Sequence, residues 1–172
     1  MRIRWERLDG RSGHEVGRQL LGQLYEEETG GELPEIRIAN RGKPYFANSS
    51  LHFSISHTKH HALCELSSCP VGNDAEEKDR KINLRLAEKI LSDSERVHFD
   101  GAADQCDALL RLWVLKEAAG KLTGDGINGY PNHTDFDPCD PRIQEIDGCY
   151  VAVIKENDHA FCYPCPYGRP GI

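Results

Sequence analysis

Two acidic side chains stand two residues apart in the segment GNDAE, residues 72–76. If this segment is a β-strand, Asp74 and Glu76 share a face, roughly 6–7 Å apart, because side chains alternate between the two faces of a strand. Two carboxylates this close repel each other unless a cation lies between them, although an exposed acidic edge also explains these residues when they are taken alone. Gly72 on the same face predicts room for a ligand to approach the backbone.

A third acidic residue lies in the segment WVLKEAAGK, residues 113–121, which has helical character. On a helix, Trp113, Glu117 and Lys121 share one face, and Lys116 lies about 100° around the axis from Glu117. For this helix alone, a surface Glu–Lys pair beside a buried tryptophan explains the pattern.

The strand and the helix together favour a metal site. Asp74, Glu76 and Glu117 supply three hard oxygen ligands, the donor type that Mg²⁺ takes when waters and substrate phosphates complete its coordination. Lys116 and Lys121 on the same helix would then meet those phosphates.

Ser56 and His57 stand where a predicted strand enters a turn. A serine beside a histidine is compatible with hydrolase chemistry, but no G-x-S-x-G sequence surrounds it and no third member of a triad is evident. The alternative is binding of an anion by the hydroxyl and the imidazole. Upstream, Arg41 and Lys43 add two cations on a turn that contains a proline.

The elements that must position these side chains are helices and strands in alternating groups. Helical periodicity predicts helices at residues 14–28, 84–91 and 108–122, with Ser12 and Ser92 as N-caps, the latter starting one more helix. Period-two alternation predicts strands at residues 36–39, 51–56, 62–66, 71–76, 151–154 and 160–163. The three strands between residues 51 and 76 predict an antiparallel meander, and the last two strands predict a closing hairpin. Residues 130–148 are predicted to be extended or loop.

This order of elements favours an α+β fold of two lobes, residues 1–76 and 77–172, with a seam near residues 77–82. A chain of 172 residues is long enough for such a unit. Each lobe would contribute part of a shared core.

Composition excludes several classes of function. Lys and Arg number 21 against 28 Asp and Glu, a net charge of −7, which leaves no positive excess for general nucleic-acid binding. No apolar run approaches the roughly 18 residues of a membrane span, and the N-terminus lacks the apolar stretch of a secretory signal. We therefore expect a cytoplasmic protein whose seven cysteines are reduced.

Four segments occur in the order and approximate spacing found in the 4′-phosphopantetheinyl transferases. They are GKP at residues 42–44, FSISH at 53–57, GNDAE at 72–76 and WVLKEAAGK at 113–121. Each is weak alone, but the four in order are specific. The sequence resembles the surfactin-type, single-chain subgroup of this family over almost its whole length.

The resemblance implies a pseudo-dimer of two similar α+β lobes with coenzyme A bound in the cleft between them. It implies that Asp74, Glu76 and Glu117 bind a Mg²⁺ ion that bridges to the pyrophosphate of coenzyme A. Glu117 would also be the general base, directly or through a water molecule, so the catalytic candidates are Glu117, Lys121 and Asp74.

The same resemblance assigns the ligand contacts. Lys116 and Lys121 would hold phosphates, and Lys43, Ser56 and His57 would contact the adenosine end and its 3′-phosphate. Arg41, which stands beside this set on the same turn as Lys43, completes the candidate coenzyme A-binding residues.

The implied reaction transfers the 4′-phosphopantetheine group to a serine of an apo acyl or peptidyl carrier protein and releases 3′,5′-ADP. Such carriers are usually small acidic helical domains, so cationic residues just after the metal strand are docking candidates: Lys78, Arg80, Lys81, Arg85 and Lys89. A solvated helix face explains the same residues equally well. A single chain with both lobes predicts a monomer.

Two alternatives stay open. The first is a degenerate member that binds coenzyme A without transferring it, because Asn73 stands where the family carries a bulky aliphatic residue and the termini are shorter than in typical single-chain members. Ala75 likewise stands where the family carries a larger residue. Both side chains should point away from the metal face, into the core, where a buried Asn needs hydrogen-bond partners. The second is a zinc-binding interaction module that uses the CxxC pair Cys162 and Cys165.

Overall fold

The computed structural model describes residues 2–126 and 135–158, and it confirms the α+β class. The strands are β1 (Arg2–Arg7), β2 (Ile36–Ile38), β3 (Pro44–Phe46), β4 (His52–His57), β5 (His61–Ser67), β6 (Val71–Glu77), β7 (Ile143–Ile146) and β8 (Cys149–Lys155). The helices are α1 (Gly13–Thr29), α2 (Ala87–Ile90), α3 (Asp93–Gly101) and α4 (Gln105–Thr123), and a 3₁₀ turn at Leu84–Leu86 precedes α2.

The first sheet is antiparallel, with strand order β1-β5-β4, and α1 covers one of its faces. Val16, Leu20 and Leu24 recur at helical spacing along α1 and are buried, since the apolar stripe of an amphipathic helix needs an apolar partner. Their partner is the face of β5 that bears Cys64 and Leu66, which belong to the same apolar cluster.

The second sheet is also antiparallel, with strand order β6-β8-β7, and α4 covers its outer face. Tyr150, Ala152 and Ile154 alternate along β8 and pack in one cluster with Leu115 and Ala118 of α4. The predicted meander is right for the β4–β5 pair and wrong for β6, which pairs with β8 instead. All but the last residue of β6 thus lies within residues 1–76, yet the strand joins strands from the C-terminal part of the chain.

The inner faces of the two sheets pack against each other. Leu63 of β5, Ala75 of β6 and Val151 of β8 form a buried cluster, with Trp5 of β1 against it. The layers therefore follow the order α1, first sheet, second sheet, α4, and every residue of β5 is buried because both of its faces are covered. The polar sequence of β1 gave no strand prediction, and its pairing with β5 provides its place in the sheet.

Several other predictions can be compared with the described residues. The capping box of Ser92 and Glu95 is confirmed, whereas Ser12 occupies the N-cap position of α1 without a side-chain hydrogen bond. Strand β7 lies in a segment predicted to be extended or loop, and the predicted helix at residues 84–91 is a 3₁₀ turn followed by the short α2. The strand predicted at residues 160–163 lies outside the described residues. None of the described helices is both long and apolar enough to cross a membrane.

Helix α4 approaches β6 closely at Gly72. A Cβ atom at this position would lie 2.0 Å from the carbonyl oxygen of Ala118 and 2.3 Å from the amide nitrogen of Leu122. The expectation that Gly72 leaves room for a ligand is wrong, because the backbone of α4 occupies that space. The close approach instead brings the side chains of α4 next to those of Asp74 and Glu76.

Gly72→Ala is expected to lower the free energy of unfolding by about 1–3 kcal/mol or more, since the obstacle is backbone and not a flexible side chain. Urea denaturation followed by circular dichroism measures this. Gly22→Ala in α1 is the matched control: a Cβ there meets nothing within 4 Å, so a gain of about 0.5–1 kcal/mol is expected. Equal effects of the two substitutions would contradict the role given to Gly72.

A buried ion pair joins the inner faces of the two sheets. Glu65 of β5 is 0% exposed, and its Oε1 atom lies 3.2 Å from Nζ of Lys155 on β8. Burial raises the pKa of Glu65 by more than the nearby Lys155 lowers it. The ionised form is therefore disfavoured in the folded state, so the stability that Glu65 contributes is highest below the ordinary carboxyl pKa of about 4.3 and is lost as pH rises through the raised folded value.

Glu65→Gln tests this linkage through the melting temperature measured at a series of pH values. The stability of the variant minus that of the wild type is expected to rise between about pH 4 and pH 7, because only the wild type must bury a charge as pH increases. The exposed Glu145 is the matched control: its hydrogen bond from Lys78 lowers its pKa, so Glu145→Gln should give a small change of opposite sign. A flat or falling difference for Glu65→Gln would refute the assignment.

Candidate functional site

Asp74 is the centre of a hydrogen-bonded group that joins β4, β6 and α4. Its Oδ1 atom accepts hydrogen bonds from Nζ of Lys121 at 2.7 Å and from Oγ of Ser56 at 2.9 Å. The Lys121 ammonium also donates to Ser56 Oγ at 3.0 Å. The structure thus brings together three of the residues selected from the sequence, and it does so where the ends of β4 and α4 meet the middle of β6.

The second carboxylate oxygen of Asp74, Oδ2, differs from Oδ1 in its contacts. Oδ2 is buried and has no hydrogen-bond partner among the described residues. A buried carboxylate oxygen without a partner is costly unless a cation or a donor approaches it. Asp74 therefore presents one unused oxygen ligand inside the site.

Glu76 lies on the same face of β6 and is held by two side chains. The indole Nε1 of Trp113 donates to its Oε1 atom at 2.9 Å, and the guanidinium of Arg80 forms an ion pair with the same oxygen. The guanidinium also lies over the Trp113 ring, 5.4 Å from its centroid. Burial, followed by the charge of Asp74, raises the pKa of Glu76, and the Arg80 contact opposes this shift.

Glu117 follows Trp113 by one turn of α4 and precedes Lys121 by one turn, as the helical spacing predicts. It is half-buried. Burial is the main cause that raises the pKa of Glu117, the charge of Asp74 adds to it, and Lys121 opposes it. The charge of Asp74 therefore disfavours the ionised forms of Glu76 and Glu117, and an added cation would relieve that repulsion.

These residues fit a hard divalent cation by donor type and by the unused Oδ2 atom of Asp74. Within residues 2–126 and 135–158, no group of three or more His, Cys, Asp or Glu side chains is arranged to hold a metal ion. Lys121 and Arg80 instead form ion pairs with Asp74 and Glu76. A metal ion would therefore have to compete with Lys121 for Asp74 and with Arg80 for Glu76.

Lys116 requires a correction. Its ammonium forms an ion pair with Oε2 of Glu95 at 2.8 Å, and the two side chains are only 3% and 0% exposed. Glu95 also accepts hydrogen bonds from the backbone N–H groups of Ser92 and Phe136, at 2.9 Å each. Lys116 therefore ties α4 to the start of α3, and its buried position does not suit the phosphate-binding role expected from the sequence. The reason is the rotation of about 100° that separates it from Glu117 on the helix.

A cavity of about 260 Å³ adjoins the carboxylate group. The turn between β2 and β3, strand β4 and the end of α4 enclose it, through Arg41, Gly42, Lys43, Pro44, Phe53, Ser54, Ile55, Gly120, Lys121, Gly124 and Gly126. Lys121 belongs both to this lining and to the hydrogen-bonded group around Asp74. The cavity and the carboxylates therefore form one continuous site.

The two cations of the β2–β3 turn differ in their surroundings. The Lys43 ammonium donates to the carbonyl oxygens of Leu122 at 2.5 Å and Val71 at 3.3 Å, and burial lowers its pKa. Arg41 is largely exposed and forms an ion pair with Asp125, just beyond α4. Both side chains line the cavity, as expected for residues that bind an anionic ligand.

Ser56 and His57 lie on opposite faces of β4, because neighbouring side chains of a strand alternate. Ser56 faces Asp74, whereas the ring of exposed His57 lies against the start of α1, where a Cβ on Gly13 would be 2.6 Å from the ring. The structure does not bring the hydroxyl and the imidazole together. The hydrolase interpretation therefore lacks the contact that it needs.

Asn73 faces away from the carboxylates, as predicted, and its polar groups are satisfied. It is fully buried, its Nδ2 donates to the backbone oxygen of Ser54 at 2.9 Å, and its Oδ1 accepts from Ser54 Oγ at 3.1 Å. The backbone N–H of Asn73 donates to the same hydroxyl at 3.0 Å. The polar residue thus joins β4 to β6 without an unpaired group, and β6 keeps its orientation.

Comparison with known proteins identifies the family. A family model described as the 4'-phosphopantetheinyl transferase superfamily matches residues 70–162, more than half of the 172-residue chain. The chain belongs to this superfamily. The superfamily match includes β6 and α4, and so covers all three carboxylates of the site.

Relatives within the superfamily agree with this placement. The chain is 32% identical over 129 residues to a 4'-phosphopantetheinyl transferase of Bacillus subtilis. The aligned segment covers 73% of this chain and 54% of that protein. It is 33% identical over 88 residues to 4'-phosphopantetheinyl transferase gsp of Aneurinibacillus migulanus, covering 50% and 36%, and 37% identical over 90 residues to psf-1 of Bacillus pumilus, covering 51% and 38%. The chain spans about half or less of the lengths of these relatives.

The sequence did not reveal three contacts that shape the site of this superfamily member. They are the ion pair of Arg80 with Glu76, the pair of Lys116 with Glu95, and the bonds of Ser54 with Asn73. The first depends on a turn that brings the N–H of Arg80 to the carbonyl of Glu77. The other two join residues that are distant in sequence. Cys162 and Cys165, on which the zinc alternative depends, lie outside the described residues.

Proposed function

We propose that this chain transfers the 4′-phosphopantetheine group of coenzyme A to a serine of an apo acyl or peptidyl carrier protein, with Mg²⁺, and releases 3′,5′-ADP. The observation that carries the proposal is the continuity of the site in a member of this superfamily. Lys121 lines the cavity and donates a hydrogen bond to Asp74, and this contact supports a phosphate-binding site next to a metal site.

Coenzyme A would occupy the cavity with its adenosine end between the β2–β3 turn and β4. Arg41, Lys43 and Lys121 are the cations of the lining, and phosphates are the groups of coenzyme A that they would attract. His57 stays a candidate for the 3′-phosphate because it is exposed at the start of α1. Ser56 is better placed to orient Lys121 and Asp74 than to bind the nucleotide.

In the transfer, the carrier serine oxygen attacks the β-phosphorus of coenzyme A and a new P–O bond forms. The bond from that phosphorus to the bridging oxygen breaks, and 3′,5′-ADP leaves with the electron pair. Glu117 takes the proton of the serine hydroxyl, directly or through water, for which its raised pKa makes it a stronger base than an ordinary carboxylate. Lys121 stabilises the negative charge that develops on the phosphates.

A Mg²⁺ ion held by Asp74, Glu76 and Glu117 would supply neutralisation of the pyrophosphate charge. The rest of the catalysis is positioning by the chain's own side chains. Ser56 fixes Lys121 relative to Asp74, and Trp113 fixes Glu76 by a hydrogen bond of 2.9 Å.

A local cationic surface would bind the acidic carrier, because the net charge of −7 does not attract it. A groove of about 480 Å³ after β6 is lined by Arg80, Lys81, Ile82, Asn83, Arg85, Leu86, Glu88 and Lys89. Lys81, Arg85 and Lys89 are exposed there, whereas Lys78 forms an ion pair with Glu145. The groove begins directly after the strand that carries Asp74 and Glu76, so a docked carrier would lie near the site.

We also propose that residues 1–76 and 77–172 are the two lobes of a monomeric, cytoplasmic pseudo-dimer. A three-stranded antiparallel sheet covered by one long helix recurs in the two parts, which supports this organisation. Strand β6 belongs to the second sheet, so it would cross from the first lobe into the second.

Mass spectrometry of an apo carrier protein tests the transfer. The carrier is incubated with this protein and coenzyme A, with Mg²⁺ or with EDTA, and its Ser→Ala variant is the matched control. The expected result is a Mg²⁺-dependent gain of one phosphopantetheine by the wild-type carrier alone. Coenzyme A binding without a gain would favour the degenerate member, and neither binding nor gain would reject the proposed function. Stoichiometric zinc in the purified protein would instead favour the zinc module.

A further inference from the structure

Arg80 connects the carboxylate group to the cationic groove. Its guanidinium forms an ion pair with Glu76 and lies over the ring of Trp113, 5.4 Å from the centroid. The same residue lines the groove that begins after β6, and its side chain is 40% exposed. Arg80 can therefore leave Glu76 for solvent or for the groove without disturbing the core.

Arg80 neutralises part of the negative charge of the carboxylate group when no metal ion is bound. Asp74, Glu76 and Glu117 place three carboxyl groups in one site, and Lys121 and Arg80 form ion pairs with Asp74 and Glu76. Lys121 is anchored by Ser56 and by the cavity. Arg80 is exposed and forms one ion pair, with Glu76, whereas Lys121 donates to both Asp74 and Ser56, so a divalent ion would displace Arg80 at lower cost.

We propose that Arg80 is a resident counter-cation of the site, which competes with the divalent metal ion for Glu76 and moves toward the cationic groove when the metal binds. This inference rests on the proposed function for the identity of the metal site. Each cation would weaken the other's hold on Glu76, because two positive charges compete for one carboxylate. Metal binding would then add a cation to the surface offered to an acidic partner.

Trp113 provides a direct readout, because its indole contacts both Glu76 and Arg80. The chain has two tryptophans, so Trp5→Phe leaves Trp113 as the single tryptophan, which is excited selectively at a wavelength that tyrosine does not absorb. Its emission is followed while MgCl₂ is added at constant ionic strength, without coenzyme A or carrier. Arg80→Gln is compared with Arg85→Gln, which removes the same charge from an exposed residue of the same groove.

The expected result is a Mg²⁺ affinity at least about 5-fold tighter for Arg80→Gln and unchanged for Arg85→Gln. Arg80→Lys should fall between Arg80→Gln and wild type, since it keeps the charge but loses the planar guanidinium. The Mg²⁺-induced rise in melting temperature is measured on the same variants, and it should be largest for Arg80→Gln.

Three results would overturn the inference. An unchanged or weaker affinity in Arg80→Gln would mean that Arg80 does not compete with the metal. An equal gain in Mg²⁺ affinity in Arg80→Gln and Arg85→Gln would mean that the gain comes from the change in net charge and not from the position of Arg80. No Mg²⁺ response in any variant, by fluorescence or by melting, would remove the metal site on which the inference depends, while the carrier mass measurement decides separately whether transfer occurs.

Discussion

Glu117→Gln is expected to lower kcat for phosphopantetheine transfer by about 10²- to 10⁴-fold, the range that a general base contributes. The amide keeps the shape and the helix position of Glu117 but cannot accept the proton of the carrier serine. It also removes one negative oxygen ligand from the metal set. Coenzyme A affinity should be largely retained, because Lys43, Lys121 and Arg41 in the cavity are unchanged.

Steady-state transfer kinetics with an apo carrier, together with equilibrium binding of coenzyme A, separate the two effects. Glu15→Gln, an exposed glutamate in the first turn of α1, is the control for loss of one negative charge. A kcat near that of wild type in Glu117→Gln would remove its assignment as base and ligand. Loss of coenzyme A binding equal to the loss of kcat would instead make Glu117 a ligand-binding residue.

Asp74→Asn is expected to lower Mg²⁺-dependent transfer by about 10²- to 10³-fold, since loss of a metal ligand forfeits several kcal/mol of charge stabilisation in the transition state. Asn keeps the size of the side chain and an oxygen that accepts from Ser56 and Lys121. The unused buried oxygen of Asp74 is then replaced by an amide NH₂ group, which does not bind a hard cation.

The assay compares transfer rates over a range of Mg²⁺ concentrations. Higher Mg²⁺ should restore part of the activity of Asp74→Asn if the defect is in metal binding. Asp79→Asn, which alters an exposed aspartate just beyond β6, is the control and should behave as wild type. Full activity of Asp74→Asn at ordinary Mg²⁺ would refute the metal assignment of this residue.

Local pattern was sufficient for much of the molecule. Spacing along α1 and α4 predicted both long helices, and alternation predicted strands β2, β4, β5, β6 and β8 to within a few residues. The same alternation placed Asp74 and Glu76 together and turned Asn73 away from them. These predictions succeeded because they depend on the 3.6-residue and two-residue periods of the chain itself.

Contacts between segments that are distant in the sequence could not be predicted from these local periods. Strand β6 pairs with β8 and not with β5 as the predicted meander required, and no period within β6 indicates a partner so far along the chain. Strand β1 is too polar to be recognised alone and depends on its pairing with β5. The space beside Gly72 is filled by α4, a fact that only the packing of helix on sheet provides.

The site divides in the same way. Residue types and spacing were enough to select Asp74, Glu76, Glu117 and Lys121, since each spacing implies a shared face. The fold determines which cation pairs with each carboxylate. Lys116 forms an ion pair with Glu95, and a tight turn after β6 brings Arg80 to Glu76. Periodicity determines the direction of a side chain from its own element, whereas the identity of its partner depends on how separate elements pack, and that is a property of the tertiary structure.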